Sequence, residues 1–277
     1  MNSFTEILSY SFILRALIVG VLVSLCSSLL GVCLVLKRFS MIGDGLSHVG
    51  FGAVAIASVL NIAPLYVSTP VVVAAAFLLL RINKSKKIKG DTATALISSG
   101  TLAIGIAAIS AGSGTNIDIN GYMFGSILSL SREDTVLSVI LSAAVIVLFV
   151  LFYTRIFAVT FDEVFAKATG TNSDFYNMII AFLTAITIVL GMRMMGTLLI
   201  SSLVIFPSVT SMRVCRNFKS VIICSAAVSV ICFITGLAVS YAAETPTGAT
   251  VVIINVIMFA LFSFIEFFRN RTGSHLR

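Results

Sequence analysis

Long runs of hydrophobic residues, separated by short polar segments, dominate the pattern of this 277-residue chain. About 20 apolar residues in a helix are long enough to cross the hydrocarbon core of a membrane. Within lipid a helix satisfies its own backbone polar groups, so each run predicts a membrane-spanning helix. The spans are predicted near 15–36, 46–63, 67–82, 92–112, 134–153, 175–192, 195–212, 219–241 and 247–268. The second and seventh are short and polar, which indicates that they are broken, tilted or shielded from lipid.

Two connections between the predicted spans are longer than a turn. Residues 113–133 have an apolar centre from Gly121 to Leu130, which indicates a segment that re-enters the membrane or lies on its surface. Residues 154–174 mix charged and apolar positions and contain a Gly-Thr-Asn sequence that is typical of a turn.

The composition agrees with a membrane protein, since hydrophobic residues make up 58% of the chain and charged residues only 10%. A soluble domain carries about a quarter charged residues. The composition therefore excludes a cytosolic enzyme, a disordered chain and a typical nucleic-acid binder. It predicts an all-α integral membrane protein, a bundle of about eight or nine transmembrane helices in a single domain over residues 1–277. The 5 cysteines form no CxxC pair and indicate neither a disulfide framework nor a thiolate metal site.

The positions of Lys and Arg predict the orientation of the chain. If the Lys37–Arg38 turn is cytoplasmic and the spans alternate, all but three of the 18 basic residues fall inside. The exceptions are Arg15, Arg132 and Arg193. This distribution follows the positive-inside rule and places the N-terminus outside. The net charge of +7 thus reflects orientation rather than an anionic ligand.

One polar run lies at the start of a predicted span instead of in a loop. Asp44 and His48 are four residues apart, so on a helix they share one face, about a turn from each other. A carboxylate and an imidazole at that spacing can bind one divalent metal ion. Ionisable groups within a span usually mark the path of a substrate or ion. Glycines at positions 43, 45, 50 and 52 would let another helix approach closely.

A simpler interpretation of the same run is structural. Asp44 could cap the cytoplasmic end of the helix, and His48 could donate a hydrogen bond to a neighbouring carbonyl. Two ligands are also too few for a selective metal site. A two-fold dimer with this helix at its axis would supply two Asp and two His side chains.

The seventh span contains hydroxyl side chains and a proline. Pro207 is expected to kink this helix, and hydroxyl groups such as those of Ser201 and Ser202 can satisfy freed carbonyls. We therefore predict a bent helix that lines the pore, with ordinary membrane packing as the alternative.

Enzyme signatures are missing from the sequence, which has no HExxH motif and no phosphate-binding loop. We predict a transport subunit without catalytic residues or a resident cofactor.

Four segments match the motifs of a known family in order and spacing. They are Val35–His48 with its Gly-Asp-x-x-x-His run, Tyr122–Gly125, Phe161–Gly170, and Gly196–Pro207. Over about residues 10–268 the chain resembles the permease subunits of bacterial ATP-binding-cassette importers for zinc and manganese. It departs from the family at Val164, where Pro is frequent, and in the hydroxyl residues of the fourth segment, where Ala is frequent.

The resemblance implies a fold similar to that of the vitamin B12 and siderophore importers. It also implies a location in the bacterial cytoplasmic (inner) membrane, a second permease copy that is identical or paralogous, and an ATPase subunit that binds ATP. An extracellular metal-binding lipoprotein or periplasmic protein would deliver the ion. Asp44 and His48 would bind the transported Zn²⁺ or Mn²⁺. The docking site for the ATPase would include Phe161, Asp162, Glu163, Phe165, Ala166 and Gly170.

Several alternatives remain at this point. A secondary metal-ion transporter would work without an ATPase, and a siderophore or vitamin importer would share the fold. An intramembrane hydrolase that uses Asp44 and His48 is less favoured, because no second catalytic motif accompanies them. Zinc is favoured over manganese because nothing in the sequence demands a cage of hard oxygen ligands.

Overall fold

The computed structural model describes residues 11–84, 90–111, 125 and 132–273, and all regular structure within these residues is helical. The helices are α1 Ser11–Leu36, α2 Ile42–Val59, α3 Pro64–Lys84, α4 Gly90–Ala111, α5 Arg132–Leu151, α6 Tyr153–Phe161, α7 Glu163–Ala168, α8 Ser173–Met195, α9 Thr197–Val214, α10 Phe218–Ala243 and α11 Thr247–Gly273.

Eight helices in the described part of the chain are long and apolar enough to cross a membrane. They are α1, α2, α4, α5 and α8–α11. The shorter apolar segment Tyr66–Ile82 lies within α3, at the position of the third predicted span. The prediction of an all-α membrane protein with eight or nine such helices is confirmed.

Helix α1 lies at the centre of the bundle, where it packs against α5, α8, α9 and α10. Its contact surface is rich in small polar residues. Ser229 of α10, for example, donates a hydrogen bond to the backbone oxygen of Ser24 at 3.0 Å. Small residues let membrane helices approach closely without a hydrophobic driving force.

Helices α2 and α9 are shielded by the rest of the bundle. In the most apolar stretch of α2, 72% of the residues are buried. The corresponding share is 61% in α9 but only 11% in α11. The same two spans are short and polar in the sequence, which predicted that they are broken, tilted or shielded from lipid. Both are continuous helices here, and the hydroxyl side chains of α9 and Ser47 of α2 are buried.

Helix α2 packs most extensively against α4, and two glycines bring their backbones together. A Cβ added at Gly52 would lie 2.5 Å from the backbone oxygen of Thr101, and one added at Gly45 would lie 2.2 Å from Thr94 Cγ2. Gly45 therefore faces Thr94, and seven residues later Gly52 faces Thr101. Because both positions advance in the same direction, the two helices run parallel. The close approach expected from the glycines is therefore present at these two positions.

The connection over 113–133 lies mostly outside the described residues, and so does most of the Tyr122–Gly125 segment. Gly125 is described and has a φ of +78°. A Cβ there would lie 2.2 Å from the backbone carbon of Met195, which places Gly125 directly against the junction of α8 and α9. Beside this junction, the Arg193 guanidinium pairs with the Asp134 carboxylate at 2.8 Å.

Candidate metal-ion site

Asp44 and His48 lie on one face of α2, in its first two turns. The Nε2 atom of His48 is 3.6 Å from Oδ1 of Asp44. The His48 side chain is 23% exposed and that of Asp44 is 42% exposed, so both groups can be reached from outside the helix. The helical spacing that the sequence predicted thus brings the carboxylate and the imidazole together.

Asp44 does not cap α2. The N-cap is Met41, whose side chain makes no capping hydrogen bond. The Asp44 carboxylate instead accepts a hydrogen bond from the Ser201 hydroxyl of α9, at 3.3 Å to Oδ1. Within the part of the chain that the structure describes, His48 donates no hydrogen bond to a backbone carbonyl. The simpler structural interpretation of these two side chains therefore lacks the contacts that it requires.

Helix α9 supplies this additional contact to the candidate site. The Ser201 hydroxyl lies 3.3 Å from the Ser47 hydroxyl and also donates to the backbone oxygen of Thr197, at 2.9 Å. The adjacent Ser202 hydroxyl is buried and has no hydrogen-bond partner among the described residues. Helix α9 continues through Pro207, one residue before Ser208, whose hydroxyl donates to the Val204 oxygen at 3.0 Å.

A cavity of about 280 Å³ opens beside Asp44 and His48. One wall comes from the start of α2 and the other from α4. The cavity is lined by Met41, Asp44, Gly45, His48, Asp91, Thr94, Ala95, Ser98, Ser99 and Leu102. Its ionisable side chains are two carboxylates and one imidazole, with no cation among the described lining residues. The chemistry of this lining suits a positively charged ligand.

Asp91 and the contact made by Ser201 were not predicted from the sequence. Asp91 borders the predicted span 92–112, so it was indistinguishable from an ordinary charge at a span end. Ser201 is 157 residues from Asp44 along the chain, and their contact depends on how α2 and α9 pack. No group of three or more His, Cys, Asp or Glu side chains close enough to share a metal ion occurs among the described residues.

The predicted docking segment forms the two short helices α6 and α7. Asp162 lies between them and caps α7, since its Oδ1 accepts a hydrogen bond from the Phe165 backbone N–H at 2.9 Å. Ala166 is buried, whereas Gly170 has a φ of +81° and open space around it. The segment thus has one buried side that holds it to the bundle and one free side.

The free side of this segment is apolar. Phe161, Val164 and Phe165 are 59%, 80% and 64% exposed. Phe161 also contacts the rings of Phe157 and Phe218, with centroid distances of 4.9 and 5.7 Å, which fixes its position. Several exposed apolar side chains on so short a segment are typical of a surface that contacts a protein partner or the membrane.

A chain of polar contacts runs from α7 to the turn that precedes α2. Lys37 donates a hydrogen bond to the Asn177 side-chain oxygen, and the Asn177 amide donates to Glu163 Oε2 at 3.2 Å. Lys167 pairs with Glu163 Oε1 at 3.1 Å and with Asp174 at 3.5 Å. We call Lys37, Asn177, Glu163 and Lys167 the polar relay.

Glu163 is held in its charged form within the polar relay. Burial opposes its ionisation, but hydrogen bonds from Lys167 and Asn177 and the charge of Lys37 outweigh burial and lower the pKa of Glu163. The hydrogen bond to Glu163 in turn raises the pKa of Lys167. Both shifts favour the charged pair, so it is intact at neutral pH.

These observations define a multi-pass membrane protein with a cation-compatible cavity beside a buried helix. The chain belongs to the ABC 3 transport family, whose model matches residues 9–266. This result confirms the resemblance found in the sequence.

Relatives within the family are named as metal transport proteins. The chain is 28% identical to the manganese transport system membrane protein MntC of Listeria monocytogenes, over 91% of this chain and 90% of the relative. It is 27% identical to the high-affinity zinc uptake system membrane protein ZnuB of Haemophilus influenzae, over 92% of this chain and 98% of the relative. Such relatives and the apolar helices confirm the prediction of a multi-pass bacterial membrane protein.

Two solved structures are similar to this fold. PsaBC from Streptococcus pneumoniae, solved in complex with Fab, matches with a TM-score of 0.83 and 27% identity, over 94% of each chain. A metal-chelate type ABC transporter in an inward-facing conformation matches with a TM-score of 0.71 and 16% identity, over 91% of this chain and 85% of the other. At that identity the second match supports the fold alone.

Proposed function

We propose that this chain is the membrane-spanning permease of an ATP-driven importer for a divalent transition metal ion. A binding protein outside the cell would deliver the ion, and an ATPase subunit inside would drive transport. Membership of the ABC 3 transport family and the names of relatives such as MntC and ZnuB support this class.

The observation that carries the proposal is the geometry of Asp44 and His48. A divalent ion loses much of its hydration on entering a low-dielectric region, and that loss is very costly. A carboxylate and an imidazole within 3.6 Å of each other, open to a cavity beside a shielded helix, could replace part of the hydration shell. The Ser201 hydroxyl would orient the carboxylate for this task.

A second permease copy would complete the ligand set. Two ligands from one chain do not fill the four positions that zinc usually takes. A two-fold arrangement with α2 near the axis would contribute Asp44 and His48 twice.

We further propose that α6 and α7 dock on the ATPase and that the polar relay passes its movement to the ion site. The exposed side chains of Phe161, Val164 and Phe165 would be buried against the partner. Glu163 would then move with α7, and Asn177 and Lys37 would carry this movement to the turn before α2. The relay would thus link ATP hydrolysis to the helix that carries Asp44.

Zinc is our first candidate for the ion and manganese the second. An imidazole suits zinc, whereas a carboxylate also suits the harder manganese ion, and relatives are named for both metals. Competition between the two ions during uptake by the reconstituted importer is the direct way to rank them.

The proposal is tested by metal uptake in cells that express the chain together with its ATPase and binding protein. We expect Asp44→Ala and His48→Ala each to reduce uptake more than about tenfold, because removal of even indirect metal contacts commonly costs that much. His275→Ala is the matched control, since His275 is the other of the 2 histidines and lies in the polar C-terminal tail.

Each outcome of this experiment has a defined meaning. Normal uptake by both site variants at equal membrane expression would contradict the assigned site. Uptake that persists when the ATPase is omitted would instead favour a secondary transporter.

A further inference from the structure

The wall of the cavity opposite Asp44 and His48 comes from α4, and most of its side chains carry oxygen atoms that could bind a metal ion. Asp91, Thr94, Ser98 and Ser99 contribute a carboxylate and three hydroxyl groups. The Thr94 hydroxyl donates to the Gly90 backbone oxygen at 2.9 Å, so its hydrogen is engaged within α4. The two walls therefore differ, since α2 offers one nitrogen and one oxygen ligand and α4 offers only oxygen.

The register between the helices gives the relative depth of these groups. Gly45 faces Thr94, and a helix rises 1.5 Å per residue. Asp91 thus lies about 3 Å closer to the start of the helices than Asp44, and about 9 Å closer than His48. Both helices start at the predicted cytoplasmic end. An ion that moves inward passes the levels of His48, Asp44 and Asp91 in that order.

We propose that Asp91 is a second contact for the transported ion on its way to the cytoplasm, where the oxygen ligands of α4 assist manganese more than zinc. This inference rests on the proposed function. Asp91 is not close enough to form one three-ligand group with Asp44 and His48. It therefore takes the ion in a successive position rather than sharing it. Carboxylate and hydroxyl oxygens suit manganese better than zinc, so loss of Asp91 affects manganese more.

A first-turn carboxylate also stabilises its own helix through the helix dipole. Asp91 is the acidic residue in the first turn of α4, so this effect has to be separated from ion contact. Thr92 provides the means, because it is exposed, belongs to the same turn and does not line the cavity. The double variant Asp91→Asn/Thr92→Asp moves the carboxylate by one residue, keeping the charge at the helix end but removing it from the cavity.

The experiment measures uptake of manganese and of zinc, each added alone, by the complete importer. For Asp91→Asn we expect manganese uptake to fall about fivefold or more and zinc uptake about twofold or less. The double variant is expected to behave like Asp91→Asn. Asp91→Glu, which keeps a carboxylate on the cavity wall, is expected to retain most manganese uptake.

Unchanged manganese uptake by Asp91→Asn, equal losses for both metals, or full recovery in the double variant would each overturn the inference. Asp44→Ala is measured in the same series to keep the two proposals apart. If uptake depends on Asp44 but not on Asp91, only the role of Asp91 fails. If uptake of both metals is independent of Asp44, the proposed site itself fails.

Discussion

The Asp44 carboxylate is placed by contacts from two helices. His48 approaches it from one turn further along α2, and Ser201 donates to it from α9. Because Ser201 also donates to the backbone of Thr197, its hydroxyl is shared between two acceptors. The carboxylate is therefore oriented while it stays accessible from the cavity, as a group that receives and releases an ion requires.

Replacement of Ser201 by alanine should weaken the site without abolishing it. A hydrogen bond to a charged group contributes about 1.5–3 kcal/mol, and the partial exposure of Asp44 reduces this value. We expect Ser201→Ala to raise the metal concentration for half-maximal uptake about threefold to tenfold, which a concentration series of uptake would measure.

Ser208→Ala is the matched control for this prediction. Ser208 is a buried hydroxyl on the same helix, and its described acceptors are the backbone oxygens of Val204 and Ser28. Ser208→Ala is expected to reach half-maximal uptake at the same metal concentration as the wild type. An equal shift in the two variants would mean that Ser201 acts through helix packing and not through Asp44.

Local geometry explains which contacts of this site were predictable. Asp44 and His48 are four residues apart, so helical periodicity alone puts them on one face. Ser201 and Asp91 come from other helices, and their neighbours are determined by packing. Gly45 and Gly52 carried a general signal for close approach, but the sequence did not say that α4 would be the partner.

Helices α6 and α7 are the elements that differ most from what the sequence predicted. The sequence predicted one segment over 154–174 in which apolar and charged positions are mixed. Two short helices separated by Asp162, whose backbone is extended, account for this mixture. The nine long apolar runs each correspond to a helix, because burial and backbone satisfaction in lipid leave few alternatives.

Breaking the polar relay should separate ATP hydrolysis from transport. Asn177→Leu keeps the branched shape of the side chain but removes the hydrogen bonds to both Lys37 and Glu163. We expect the number of ions imported per ATP hydrolysed to fall severalfold, while the ATPase subunit remains bound through α6 and α7. Parallel measurements of ATP hydrolysis and metal uptake on the same proteoliposomes give this ratio.

Asp174→Asn is the control for the relay. It removes the longer of the two ion pairs of Lys167 and leaves the contacts among Lys37, Asn177 and Glu163 in place. Its ratio of uptake to hydrolysis should match that of the wild type. A normal ratio in Asn177→Leu would show that the relay has only a structural role.

At the scale of the whole molecule, the distribution of exposed surface differs between helices. Only 22% of the residues in the most apolar stretch of α4 are buried, although α4 forms a wall of the cavity. Ala95 and Ser99 are both exposed and both line the cavity, so the cavity is open on that side. A single chain therefore leaves the candidate site incomplete in its ligands and in its enclosure.

This incompleteness predicts the metal stoichiometry of the assembled importer. One chain supplies Asp44 and His48, while zinc usually takes four ligands, so two chains should share one ion at this site. Equilibrium dialysis with elemental analysis of the purified complex, without nucleotide, should give one ion per two permease chains. Asp44→Ala in both chains should abolish this binding, whereas His275→Ala should not change it. One tightly bound ion per chain would contradict the shared site, because each copy would then have to complete its own ligand set.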